Sequence, residues 1–277
     1  GGVRAYVIDS SIHAAGDLTQ TAIANQTISA LVFSFSMAIA GGTVGVGASG
    51  SGVIVENKIG MEVEASIDGD GATGISAASI SLIAKDTSTI SAAAGAASAS
   101  FAFGMVGVSI SFGIAFSQNL ISTSVEAFIK NADTGVTSTS GGITIGATSD
   151  STINSIAAAA SIAVGAGFVG IAISGAGSFS QNIIITSTNA YVENSILNSA
   201  GNVSIDAENT STIQALIATV SFAASGGAVG VGASVGLSLA RNLVGWVPDP
   251  SAASTYTTES EPVSVSYGQT VKIASGV

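Results

Sequence analysis

Four runs of 29 residues, 27–55, 89–117, 152–180 and 212–240, contain no Asp, Glu, Lys or Arg. Within each run large and minute side chains alternate. In the second, Val106, Val108, Ile110, Phe112, Ile114 and Phe116 share one parity, and Gly107, Ser109, Ser111, Gly113, Ala115 and Ser117 share the other. A period of two is the mark of extended backbone, whose successive side chains point to opposite faces. Glycine at this density would destabilise a helix by about 1 kcal/mol per residue. The runs therefore read as pairs of unusually long strands joined at small-residue turns such as Gly41-Gly42 and Gly226-Gly227. One face of each strand is bulky and aliphatic. The other is Gly, Ala and Ser, which lets a second sheet approach closely. Because neither face is charged, both are expected to be covered.

The runs belong to a repeat. A V-x-A-type strand recurs around Ala5, Ala65, Ala127 and Ala190, a Thr-Ile pair at Thr27, Thr89, Thr152 and Thr212, and a V-G step at Val44, Val106, Val169 and Val229. Asn57, Asn119, Asn182 and Asn242 close the units. From Thr to V-G is always 17 residues, from V-G to Asn always 13, and from Asn to the next Ala always 8. All length variation falls between Ala and Thr, in segments such as DSSIHAAGD and NADTGVTSTSGG, which read as surface loops. Elsewhere a one-residue slip would turn every side chain to the opposite face, so the spacing is held.

The expectation is an all-β array over residues 1–245, with four units of about 62 residues (1–60, 61–122, 123–185 and 186–245). Two arrangements fit. The favoured one is a repetitive parallel β-solenoid of stacked long strands. The alternative is an antiparallel β-sandwich of long hairpins. Residues 246–277 hold all three prolines of the chain and read as an extended Pro/Thr-rich loop with a β-hairpin at SVSYGQTVKI, linking to the next copy. With no polar cap visible at either end of the repeat, self-association into a head-to-tail polymer is the expected partnership.

The rest of the composition narrows function by exclusion. Net charge is −11, which disfavours nucleic acid and anionic surfaces as partners. There is no cysteine, so neither disulfides nor thiolate metal sites are available. A 29-residue uncharged run exceeds the ~20 residues of a spanning helix, but the period of two opposes a helix, and no membrane span is expected.

Few residues carry candidate chemistry. His13 is the one histidine and reads as a solvated loop residue. Asp68-Gly69-Asp70-Gly71 resembles the start of a calcium loop, making Asp68 and Asp70 weak calcium candidates beside the reading as an acidic turn. No other cofactor is implied. Thr-Ser-Thr at 87–89 and 210–212 is similar to the flat threonine arrays of ice-binding solenoids, yet Asn25-Gln26-Thr27 and Asp150-Ser151-Thr152 interrupt the row. Asn57, Asn119, Asn182 and Asn242 read as a structural ladder of stacked amides. An enzyme such as a polysaccharide lyase would need clustered charged groups, and the six basic residues are scattered. No catalytic residue is expected.

VRAYVIDSSI, VEASIDGDGATGI, the GGxVGVG turns and the Asn before each V-x-A strand resemble the repeats of giant bacterial filamentous surface proteins, the leukotoxin-type filamentous adhesins. That resemblance covers residues 1–245 and implies an extracellular, cell-surface β-rich stalk, sheath or fibre. A second reading is an adhesive module that binds a cell-surface ligand through its loops or through 246–277.

Overall fold

The computed structural model describes residues 1–245, 256–257 and 271–272. The chain divides into two compact units, Gly1–Trp246 and Val247–Val277. The first unit opens with β1 (Gly2–Ile8), β2 (Ile12–His13), β3 (Leu18–Ala24), β4 (Thr27–Gly41) and β5 (Val44–Asp68). The same order then repeats: β6 (Ile75–Ala77), β7 (Ile80–Asp86), β8 (Thr89–Phe103) and β9 (Val106–Lys130). A third turn holds β10 (Val136–Ser138), β11 (Ile143–Ser149), β12 (Thr152–Ala166) and β13 (Val169–Glu193). The fourth holds β14 (Leu197–Ser199), β15 (Val203–Asn209), β16 (Thr212–Gly226) and β17 (Val229–Val244).

Every strand pairs in parallel with its counterpart one coil away. The sheets run β1-β5-β9-β13-β17, β14-β10-β6-β2, β15-β11-β7-β3 and β16-β12-β8-β4. This is a parallel solenoid-like stack. The antiparallel sandwich is not supported, because the two long strands of a coil do not pair with each other. Thr27 pairs with Thr89, and Val44 with Val106, so β4 and β5 send their hydrogen bonds to the next coil. The columns are unbroken: Thr89 meets Thr152 and Thr152 meets Thr212, while Val106 meets Val169 and Val169 meets Val229.

The strand following each V-G step does not stop at its asparagine. It runs on through the V-x-A segment as one element of 25 residues in β5, β9 and β13. The variable loops also hold structure, since the short strands β2, β6, β10 and β14 lie inside them. At the corner after the long strand the backbone turns left-handed in every coil, at Asp9 (φ 45°), Gly69 (φ 82°), Asn131 (φ 55°) and Asn194 (φ 47°). Gly and Asn, with Asp, are the residue types that tolerate this region.

The interior has two parts. At the base, Val63, Ile67, Ile75, Leu82, Ile129 and Ile145 are among a fully buried aliphatic cluster drawn from the ends of the long strands and the two shorter ones. The other part is an arm, where the 15-residue strands β4, β8, β12 and β16 pack face to face on the first half of β5, β9, β13 and β17. Its inner surfaces are mostly Gly, Ala and Ser, with Val53, Val55, Ile90 and Ile153 forming a second buried aliphatic cluster. A Cβ placed on Gly113 would sit 2.5 Å from the carbonyl oxygen of Ala160, and one on Gly45 would sit 2.5 Å from that of Phe103. The two layers are too close for anything larger.

Expected coverage of both faces is corrected here. The small face is inside and the bulky face points out: Phe33, Phe35, Ile54, Ile114, Leu216 and Leu237 are all exposed. The cause is the turn. Only Gly42 and Thr43 separate β4 from β5, so the layers are drawn together and the large side chains are left on the outer surfaces. The hairpin expected at 264–273 lies outside the described residues, apart from β19 (Val271–Lys272), which pairs in parallel with β18 (Tyr256–Thr257). No helix of the described residues is long and apolar enough to cross a membrane.

Candidate functional site: polar ladders and apolar faces

The four asparagines stand in one column at the junction of arm and base. Asn57 Nδ2 donates to Asn119 Oδ1, Asn119 Nδ2 to Asn182 Oδ1, and Asn182 Nδ2 to Asn242 Oδ1, each at 2.8 Å. The second amide proton is also used: Asn119 donates to Ser117 Oγ at 3.2 Å and Asn182 to Ser180 Oγ at 3.1 Å. Asn57, Asn119 and Asn182 are buried, so each bond replaces solvation that is out of reach. A single residue type in a parallel in-register column makes such a chain possible, because an amide both donates and accepts along one axis.

A second ladder fills the arm. In successive coils Ser49 Oγ donates to Ser36 Oγ at 3.0 Å, Ser98 and Ser111 share a bond of 2.7 Å, Ser174 donates to Ser161 at 2.9 Å, and Ser234 to Ser221 at 2.8 Å. Ser221 also donates to Ser174 at 3.0 Å, joining two coils. This ladder was not anticipated from sequence, although its signal is there: in each coil the two serines are 13 residues apart. Serine is small enough for the narrow gap and bonds across it.

Asp86 is the one carboxylate among the described residues that is fully buried. Its Oδ1 accepts from Ser88 Oγ at 2.8 Å, and its Oδ2 has no partner. Burial pushes its pKa up; hydrogen bonds from the Ser88 side chain and backbone oppose this, and the nearby Asp150 charge adds to it. Ser149, its neighbour in the next coil, and Ser151 also bury hydroxyls without partners.

The calcium candidates serve the coil corners instead. Asp68 accepts from Asn131 Nδ2 at 2.7 Å, and buried Asp70 accepts the backbone N–H of Gly135. Each carboxylate thus ties one coil to the next. Calcium needs 6–8 convergent oxygens, and among the described residues no group of three or more His, Cys, Asp or Glu could hold a metal. His13 Nε2 lies 3.0 Å from Thr73 Oγ1 on the surface, again between coils. The ion pairs Arg4–Glu62 and Lys58–Glu56 are solvent-exposed, and surface pairs of this kind contribute little to stability.

The outer faces of the arm are the other notable surface. On one side a shallow hollow of about 470 Å3 is lined by Ala97, Ala158, Ala160 and Ala218 together with Phe33, Phe35 and Val220. On the other, Phe116 stacks on Phe179 with ring centroids 4.6 Å apart. Comparison with protein-family models, with curated proteins and with solved structures finds no match to this chain.

Proposed function

We propose that the chain is a structural repeat module of an extracellular bacterial filament, sheath or giant adhesin stalk, its coils continuing head to tail. The observation that supports this reading most directly is the unbroken column order. The same residue types stand at the same column positions in successive coils, as in Thr27–Thr89–Thr152–Thr212, and β4 and β16 are the outermost strands of their sheet. An uncovered parallel edge is a template for another strand. In this stack the template matches the chain's own opposite edge, column for column.

Function on this reading is mechanical. Load along the stack falls on parallel backbone ladders supplemented by amide and hydroxyl ladders, and acidic corners keep the coil edges solvated. Electron microscopy of the purified chain tests the proposal. Uniform fibres with a repeat near the 4.7–4.9 Å strand spacing support it; dispersed particles at every concentration overturn it.

A further inference from the structure

The sheet of long strands is stepped at both ends of the stack. β17 follows β13 only as far as Val244, which pairs with Ile184. The Gly245 N–H still donates to the Ile184 carbonyl at 2.8 Å, and its φ of 73° then turns the chain out of the row. Among the described residues, positions 187–193 of β13 therefore present an open edge. At the opposite end of the stack β1 stands in those same columns. Gly2–Ile8 pair with 62–68, these with 124–130, and these in turn with 187–193. The arm half of β5 is open at that end, in the columns that β17 fills at the other.

We infer that β1 of a second copy seats on residues 187–193 of β13, beside the end of β17, so that copies join in one fixed register. The inference rests on the head-to-tail reading and adds the register and the contacts that set it. Three columns select this occupant. The first is the amide ladder, which has a direction: Asn57 donates to Asn119, and Asn242 accepts from Asn182. In this register Asn242 Nδ2 meets Asn57 Oδ1 of the next copy, and the ladder continues. A head-to-head contact would oppose two ladder ends of one kind. The second is aromatic. Phe128 stacks on Tyr191 with ring centroids 5.0 Å apart, and Tyr6 belongs to their column, so ring follows ring across the junction. The third is charged: the column Glu56–Gln118–Gln181–Arg241 sets Arg241 against Glu56 of the next copy.

Like charges, whose contact would cost affinity, meet in none of the continued columns; Asn189 faces Arg4, and Glu193 faces Ile8. The junction also covers the ends of the base core. Val3 and Val192 are only partly buried, whereas their column partners Val63 and Ile129 are fully buried. A slip of one residue turns every side chain to the wrong face. A slip of two keeps the faces but loses the ladder, the ring stack and the charge pair together.

The chain has no cysteine, so two introduced ones report on the junction cleanly. In the double variant Arg4→Cys/Asn189→Cys the two positions of one chain lie three strands apart, about 14 Å. A disulfide spans no more than about 7 Å between Cα atoms, so each bond must join separate copies. Across the junction the same positions are adjacent, at about 4.8 Å. Oxidation with copper phenanthroline should give a ladder of covalent multimers, several-fold faster than for Gly2→Cys/Asn189→Cys, whose partners are offset to about 8 Å. Should loss of Arg4 disturb the fold, Gly2→Cys/Ser187→Cys probes the same register. Hydrogen exchange of the wild-type chain is the second readout: the outward-facing amides of 187–193 should be open when dispersed and protected on assembly. Fibres that form without in-register disulfides, or in which the offset pair reacts faster, overturn the inference and leave the head-to-tail reading standing. Protection of 187–193 in the dispersed chain also overturns it, since the chain's own residues then cover the edge. No association at any concentration overturns both.

Discussion

Replacing Asn119 by alanine should be far more damaging than the same change at Asn242, although both sit in one column. Asn119 lies mid-stack and is buried; it accepts from Asn57 and donates to Asn182 and to Ser117. Alanine leaves the Asn57 donor and the Asn182 acceptor without partners where water does not reach. Each orphaned buried group costs about 1–3 kcal/mol, so with two of them a loss on the order of 2–6 kcal/mol is expected. Asn242 is exposed and only accepts from Asn182, which keeps its bond to Ser180. Water can replace that acceptor, and the loss there should stay below about 1 kcal/mol. Asn119→Leu separates the ladder from the cavity, because leucine fills the space but strands the same two neighbours; it should cost nearly as much as alanine. A stack of coils need not unfold in one step, so the measurement is guanidinium unfolding by circular dichroism together with amide exchange in β9. If Asn119→Ala shifts the midpoint no more than Asn242→Ala does, the amide ladder carries no stability and the argument fails.

Four further outcomes follow from the geometry. Gly113→Ala, whose new Cβ would meet a backbone oxygen at 2.5 Å, should lower stability by about 1–3 kcal/mol, whereas Gly177→Ala, with nothing within 4 Å, should be neutral or slightly stabilising; thermal melts of the two compare them directly. Ser98→Ala should destabilise by stranding Ser111, and Ser98→Ala/Ser111→Ala should recover much of that loss, which a double-mutant cycle reads. Asp86 has a folded-state pKa raised by burial, so its penalty is absent in acid, grows as pH rises from the unfolded carboxyl range to the raised value, and is constant above it; Asp86→Asn should therefore melt higher than wild type at neutral pH and converge with it in acid. The melting temperature of the wild-type chain should rise with protein concentration, as expected when association stabilises the folded state; invariance over a wide concentration range counts against head-to-tail self-association.

What the sequence disclosed and what it withheld divide along physical lines. Constant spacings located the columns, because a slip of one residue inverts an alternating strand. That is why Thr89, Val106 and Asn119 could each be aligned with their equivalents in the other units from sequence alone. Strand direction was not legible, since parallel and antiparallel strands alternate alike. Nor was the orientation of the arm. Hydrophobicity alone puts Phe33, Phe35 and Ile54 inside, but a two-residue link at Gly42-Thr43 fixes the layer separation first, and only the small face fits it. Asn57 looked like the end of a unit because it interrupts an apolar run. In the structure it faces inward and the strand continues past it to Asp68. The strands within the variable loops escaped because two or three residues carry no period; Ile75 and Val136, fully buried in the base, were their only trace.

An arm with serine inside and phenylalanine outside reverses the usual assignment of driving forces. Beyond the aliphatic cluster of Val53, Val55, Ile90 and Ile153 its interior buries little more than methyl groups, so backbone pairing and the two polar ladders must supply much of the cohesion that a large apolar core supplies elsewhere. Meanwhile each outer face presents more contiguous apolar area than the roughly 300–600 Å2 typical of a soluble monomer's largest patch. These two facts belong together. A thin, hydrogen-bonded double layer holds its columns straight, and straight columns set Ile54, Phe116, Phe179 and Leu239 in one line across four coils. Had the bulky side chains been buried, the layers would stand further apart and the outer surface would carry no such line of apolar side chains. Stiffness within the coil and an apolar outer surface thus come from one choice, the placement of small residues on the inner face.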